Sequence, residues 1–318
     1  MKSLYIADVE NFSTGQPVSR ALFAMDDVEV KTSATGAPYL RLTLADITGS
    51  LSAVMFDQET IPAGIAAGEP VLVSGVFSKD YNNIQVRHLE QYTGKIDSDD
   101  FLATSSRGKD EMYDVLVGTV AEVSNPHLRQ LLSDIFNEPE TAAKLKIWPG
   151  AKTIHHSFTG GLLEHTLAVV KLCETSVTLY DVDKDLTIAG ALLHDIGKLQ
   201  ELELKLTVTY TDVGSLHGHS ILGANLVRDR IAGVAGFPDQ LREQLLHIIL
   251  SHHGELEWGA ITKPMTLEAF LVFMSDNTDA KANRYQHLIH QQMPLKENVG
   301  NRDNILDIRV YAPSRGES

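Results

Sequence analysis

The chain has 318 residues, 43% of them hydrophobic, with a single cysteine and a formal net charge of −15. That length exceeds one ordinary core and suits two domains, Cys173 alone excludes an intramolecular disulfide framework, and the acidic balance argues against a general basic surface that coats nucleic acid. No run approaches the roughly 18 apolar residues of a membrane span, and Met1-Lys2-Ser3-Leu4-Tyr5-Ile6-Ala7-Asp8 turns charged before a signal-peptide core could form; the expectation is a cytoplasmic protein with no membrane partner.

From about residue 18 to 92 the chain alternates in short segments, Tyr39-Leu40-Arg41-Leu42-Thr43-Leu44, Ser50 to Phe56, Val71 to Phe77 and Ile84 to Arg87, punctuated by Thr35-Gly36, Asp46-Ile47-Thr48-Gly49 and Asp80-Tyr81-Asn82-Asn83. Period-two alternation between turn residues predicts strands, and strands this short predict a small antiparallel barrel over residues 1–95. Residues 96–112, rich in Asp and Ser, read as a linker. The period then becomes helical, as in Leu128, Leu131, Leu132, Ile135 and Phe136, predicting an all-α domain over 113–292. Residues 293–318 form a C-terminal extension whose last residues, from Ala312, read as a frayed tail.

Eleven of the thirteen histidines lie between His155 and His290, which places the chemistry in the second domain. The sharpest local signal is Ala191-Leu192-Leu193-His194-Asp195-Ile196-Gly197-Lys198, an apolar helical run that sets an imidazole beside a carboxylate. A buried carboxylate needs a partner, and a divalent cation is one that also uses the neighbouring neutral imidazole. Adjacent helix residues diverge by about 100°, so Asp195 can face two ions while His194 serves one. Further ligand-type residues are His165, His219, the pair His252-His253 and Asp276. A lone helix histidine is more often a hydrogen-bonded core or surface residue than a ligand. The ordered set, spread over separate helices, is what a binuclear site of mixed N/O ligands in a bundle requires. Lys198, at i+4 from His194, is read either as a phosphate-facing cation or as a lysine favoured near a helix end by the dipole.

His165, His194-Asp195 and Asp276 resemble the defining ligand set of the HD-domain metal phosphohydrolases. The resemblance implies two divalent ions, one held by His165, His194, Asp195 and Asp276 and the other by Asp195, His219, His252 and His253. Asp195 and Lys198 would then be the catalytic residues, and the ions would supply an activated water as nucleophile and hold the phosphate oxygens. Manganese is the expected metal, with Co²⁺, Fe²⁺, Mg²⁺, Zn²⁺ or Ni²⁺ as alternatives. His217, His247, His287 and His290 match no motif position and are expected to be structural or superficial.

In the first domain, Lys31 to Gly49 followed by Ala53-Val54-Met55-Phe56 resembles the early strands of an OB-fold, a barrel that often binds single strands by stacking bases on aromatic faces beside backbone-tracking cations. Candidate contacts are Tyr39, Phe56, Phe77 and Tyr81 with Lys31, Arg41, Lys79 and Arg87, although about half of the aromatics of so small a barrel should be core, Phe56 and Phe77 first. OB-like domain, Asp-rich linker and HD domain together resemble the YhaM-type 3'-5' exoribonucleases over nearly the whole chain, with support from Ile154 to Leu162, Gly190 to Glu201, Leu250 to Gly259 and Asp276 to Lys281. The resemblance implies hydrolysis of single-stranded RNA, or of ssDNA, to nucleoside 5'-monophosphates. His155 and His156 would contact the strand or cap the helix of His165, and Asp279 would orient a ligand or a substrate hydroxyl. Residues 1 to 100 hold seven Lys and Arg against fourteen Asp and Glu, so electrostatic affinity should be modest, and a homo-oligomer would compensate by multivalency. Two other readings stand beside this one. One is a phosphohydrolase of a small nucleotide or cyclic dinucleotide, although Trp258-Gly259-Ala260 stands where cyclic-dinucleotide enzymes of the HD class carry Gly-Tyr-Pro. The other is a non-catalytic single-strand-binding protein with structural metals.

Overall fold

The structure, a computed structural model, describes residues 2–152, 158–292 and 298–312. The chain divides into two compact units, Met1–Thr104 with Leu202–Thr211, and Ser105–Glu201 with Asp212–Ser318.

In the first unit a short helix, α1 (Ile6–Val9), precedes five strands: β1 (Pro17–Thr32), β2 (Pro38–Asp46), β3 (Gly49–Phe56), β4 (Pro70–Ser78) and β5 (Asn83–Gln91). They close into a barrel in the order β1-β2-β3-β5-β4, antiparallel except where β3 meets β5. Alternation drives this: Leu40, Leu42 and Leu44 are fully buried on β2 while Arg41 between them is exposed. A register shift between Met25 and Asp27 bends β1, whose first half pairs with β4 and whose second half pairs with β2. Phe77 is 1% exposed, as expected. Phe56, expected in the core, is instead 56% exposed. Leu51 and Ala53 set the inward parity of β3, so Phe56 must point outward.

Beneath the barrel Lys2 and Asp46 form an ion pair at 3.1 Å with both side chains wholly buried. Asp46 also accepts from the N–H groups of Ile6 (2.9 Å) and Thr48 (2.8 Å), tying the N-terminus to the β2–β3 turn. The Lys2 ammonium lies 4.1 Å from the centroid of the Phe23 ring. Burial depresses the Lys2 pKa, with Asp46 working against the shift. Removing one partner leaves a buried charge uncompensated, so Asp46→Ala is expected to destabilise the protein by about 3–5 kcal/mol. Denaturant unfolding followed through the barrel checks this; a loss under about 1 kcal/mol would mean that Lys2 escapes to water.

The second unit contains α2 (Lys109–Glu122), α3 (Pro126–Phe136), α4 (Pro139–Leu145), α5 (Gly161–Ser176), α6 (Lys184–Leu193), α7 (Lys198–Glu201), α8 (Asp212–Ile231), α9 (Asp239–Ser251) and α10 (Leu267–Gln292). The periodic residues Leu128, Leu131, Leu132, Ile135 and Phe136 are all at most 1% exposed, within one core. One hairpin departs from the all-α expectation over 113–292, and a second lies in the C-terminal extension. β6 (Leu202–Leu204) and β7 (Val208–Tyr210) interrupt the helical succession and group with the first unit, where Leu206 N–H donates to Gly68 O at 3.3 Å. β8 (Val299–Asp303) and β9 (Ile308–Tyr311) follow α10. Within 96–112, read as a linker, Ser98–Asp100 form a 3₁₀ turn and α2 already begins at Lys109. Among the described residues no helix is long and apolar enough to cross a membrane.

Candidate metal centre

The apolar stretch of α6 is buried through Leu193, and His194 caps its C-terminus. Asp195 therefore lies in a turn between α6 and α7, where the sequence pattern suggested a continuous helix. Tight i→i+3 backbone bonds hold that turn: Ile196 N–H to Leu193 O (3.1 Å), Lys198 N–H to Asp195 O (3.0 Å) and Leu199 N–H to Ile196 O (3.2 Å). Asp195 is thereby aimed into the bundle, and four other helices bring side chains to it.

One carboxylate oxygen, Asp195 Oδ2, lies 3.5 Å from His165 Nε2 of α5 and 3.4 Å from His194 Nε2. The other, Oδ1, lies 3.5 Å from His219 Nε2 of α8 and 3.5 Å from His252 Nε2, just beyond α9. His253 joins the second side with its Nε2 3.2 Å from that of His219. Asp276 of α10 joins the first, its Oδ1 3.2 Å from His165 Nε2. Two groups result that could hold a metal ion, His165 with His194 and Asp195, and His219 with His252 and His253.

The far sides of the rings explain this orientation. His194 Nδ1 faces Ala191 O at 2.8 Å and His252 Nδ1 faces Ile249 O at 2.7 Å. A carbonyl only accepts, so Nδ1 carries the proton and each ring turns its Nε2 inward. His165 Nδ1 donates to Asp279 Oδ2 at 2.7 Å, and His219 Nδ1 to both oxygens of Glu201 at 3.0 Å. His252 Nε2 is buried and has no hydrogen-bond partner among the described residues. Convergent imidazole lone pairs around a buried carboxylate, one of them orphaned, are a donor set that fits divalent cations.

Electrostatics agree with that chemistry. Burial works against charge on Asp195, but Lys198 and the surrounding imidazoles outweigh it and hold its carboxyl well below the usual range. Burial also opposes ionisation of Asp276, and His165 and His194 again prevail and lower it. His253 is driven down to about 3 by burial and by the neighbouring rings of His252 and His219, which keeps it neutral. Burial disfavours a charged His165, yet the Asp276 and Asp279 carboxylates push it up to about 9. A cation at its Nε2 therefore competes with a proton, and acid favours release of the cation.

The predicted residues do not all converge. His165, His194, Asp195, His219, His252, His253 and Asp276 converge, with Asp279 bonded behind His165. Lys198 opens α7. Its ammonium is almost wholly buried and donates to Asp195 Oδ2 at 2.6 Å and to Gly150 O at 2.7 Å, because the turn makes Asp195 its near neighbour. His155 and His156 lie outside the described residues. On the barrel, Lys31, Tyr39 and Phe56 stand in register across β1, β2 and β3, with Arg41 on the same face, and Tyr39 and Phe56 rings are 6.2 Å apart. Lys31 and Arg41 both pair with Glu29 at 2.8 Å, which tempers their charge. Lys79 and the 75% exposed Tyr81 sit at the β4–β5 turn, and Arg87 is exposed on β5. His247 serves structure, its Nε2 accepting from Met265 N–H at 2.8 Å.

Sequence reasoning assigned no role to Glu201. Gly218 breaks α8 with φ of 70°, a left-handed conformation suited to glycine, and His219 begins the helical stretch after it. Its backbone N–H is thus free to donate to Glu201 Oε1 at 3.0 Å, so one carboxylate fixes both the backbone and the ring of His219. The only trace in sequence is an acidic residue closing the Gly190–Glu201 stretch. Glu201→Ala is expected to weaken metal binding or activity by about 10- to 100-fold, measured by metal titration; a variant that binds two ions as tightly as the parent would show that His219 needs no such support.

The HD domain family matches residues 162–281, the segment that carries every converging residue. The chain is 30% identical over 269 residues to the 3'-5' exoribonuclease YhaM of Bacillus subtilis (strain 168), covering 82% of this chain and 84% of that protein. The chain belongs to the YhaM 3'-5' exoribonuclease family. The Halalkalibacterium halodurans YhaM is 28% identical over 290 residues, covering 89% of this chain and 90% of its own length. The YhaM of Listeria monocytogenes serovar 1/2a (strain EGD-e) is 29% identical over 303 residues, covering 92% and 95%. The likeness to these YhaM enzymes takes in barrel and helical unit alike.

Proposed function

We propose that this protein is a divalent-metal-dependent 3'-5' exoribonuclease that removes nucleoside 5'-monophosphates from single-stranded RNA. The observation that carries the reading is Asp195, whose two oxygens each face two imidazole Nε2 atoms across a buried cluster. His165, His194, Asp195 and Asp276 would hold one ion, and Asp195, His219, His252 and His253 the other, with manganese the favoured metal. Bound ions supply an activated water and neutralise charge on the phosphate oxygens.

The chain's own residues do the rest. Asp279, Glu201 and the carbonyls of Ala191 and Ile249 hold the imidazoles in the donor tautomer before substrate arrives. Lys198 pins Asp195 so that the carboxylate keeps its orientation between the two halves of the site. Water adds to the terminal phosphorus, the bond from phosphorus to the 3' oxygen breaks, and the shortened strand leaves with a 3'-hydroxyl while a nucleoside 5'-monophosphate is released. The barrel, whose strand order suits an OB-like fold, would bind the strand through Tyr39, Lys31, Arg41 and the exposed Phe56. Single-stranded DNA is a secondary substrate in this reading, the protein acts in the cytoplasm, and a homo-oligomer would raise its modest affinity.

Metal-reconstituted protein incubated with single-stranded RNA labelled at its 5' end is the direct test. A ladder shortening from the 3' end with Mn²⁺, absent in Asp195→Ala, is the expected result. Intact RNA under conditions where the same protein hydrolyses a generic phosphodiester would replace the reading with a small-nucleotide phosphohydrolase.

A further inference from the structure

Trp258 stands outside every role described so far. It ends the 3₁₀ turn Leu256–Trp258, five residues beyond His253. Next to it, a Cβ placed on Gly259 would lie 3.3 Å from His253 Nδ1, so the backbone at this point rests against a ring of the cluster. The indole is 6.3 Å from the buried Phe273 ring, yet Trp258 remains 53% exposed. Across from it on α10 is Lys281, five residues after Asp276 and two after Asp279. Its ammonium lies over the indole, 4.8 Å from the ring centroid. Trp258 and Lys281 thus lie on the segments that follow two members of the cluster, His253 and Asp276.

A tryptophan that served only to plug this turn would be buried against Phe273. This one keeps about half its surface in water, with a cation over its ring. Lys281 enters no ion pair among the described residues, whereas Lys263 nearby is paired with Glu255 at 2.5 Å. A half-exposed aromatic ring beside an ammonium with no ion pair among the described residues matches a nucleotide, whose base stacks while its phosphate takes the charge. Resting on the exonuclease reading above, we propose that Trp258 and Lys281 form the subsite for the 3'-terminal nucleotide, the indole stacking on its base and the ammonium pairing with its phosphate.

The test uses the full chain loaded with Mn²⁺. Two RNAs are compared, one ending in an ordinary nucleotide and one whose last ribose lacks its base. The parent is expected to remove the ordinary nucleotide about 10- to 100-fold faster, Trp258→Ala to treat the two ends alike, and Trp258→Phe to restore most of the difference. Base discrimination that persists in Trp258→Ala, or an equal loss on both RNAs that leaves their ratio intact, overturns the proposal. Lys281→Gln should flatten the dependence of log KM on log salt by about 0.7; an unchanged slope removes the ammonium from the subsite. A binding readout independent of turnover separates this proposal from the reading beneath it. Adenosine 5'-monophosphate, but not ribose 5-phosphate, should quench indole fluorescence, and the response should vanish in Trp258→Phe. Quenching by a protein that leaves RNA intact sinks the exonuclease reading and keeps the subsite. RNA shortening with neither quenching nor discrimination does the reverse.

Discussion

Asp195→Asn is expected to lower kcat/KM on single-stranded RNA by at least about 10³-fold, or roughly 4 kcal/mol of transition-state stabilisation. The substitution preserves shape and removes charge. An amide offers one oxygen and one NH₂ group, so the residue can no longer present an acceptor to both halves of the cluster. The imidazoles of His219 and His252 on one side, and of His165 and His194 on the other, lose the anion they share. Lys198 loses the anion it meets at 2.6 Å, while its bond to Gly150 O remains. Metal content per chain should fall together with activity while the helical circular dichroism is retained. Activity within tenfold of the parent, with two ions still bound, would remove Asp195 from the centre of the mechanism.

Gly197→Ala should be nearly as damaging, for a steric reason. A Cβ at this position would sit 2.0 Å from the carbonyl oxygen of His219 and 2.5 Å from the backbone nitrogen of Gly223. Neither atom belongs to a side chain that could rotate away. Relief requires α8 to move off the α6–α7 turn, carrying His219 with it. Overpacking of this kind costs about 1–3 kcal/mol, and the shift should reduce activity by about 100-fold through loss of geometry at His219. Gly118→Ala is the control, since nothing lies within 4 Å of a Cβ there and α2 is helical throughout; it should stabilise the protein by about 0.5–1 kcal/mol. Thermal unfolding and RNA turnover of both variants decide the matter, and a fully active, fully stable Gly197→Ala protein would refute the close-packing argument.

Much of the molecule was legible from local pattern. Leu40, Leu42 and Leu44 alternate because only one face of β2 meets the core, and alternation is visible in a string of letters. Leu128 to Phe136 announce a helix in the same way. His194-Asp195 stands out because polar groups in an apolar run need partners wherever the run folds. The outward parity of Phe56 was also in that alternation, through Leu51 and Ala53, whereas the hairpin β6–β7 set between two helices was not.

The sequence by itself determined the chemistry on offer: imidazoles and carboxylates of the right kind, on segments of the right period, with glycines where backbones must bend or touch. Tertiary structure alone decided which of them meet. Glu201 gains its place only when the break at Gly218 frees the His219 N–H, and the Lys198 ammonium, three residues from Asp195, is buried on that carboxylate by the packing around it. Secondary structure follows from neighbours in the chain, whereas a hydrogen bond between residues 18 apart, or an ammonium's choice between water and a buried carboxylate, depends on a packing that exists only once the helices have assembled.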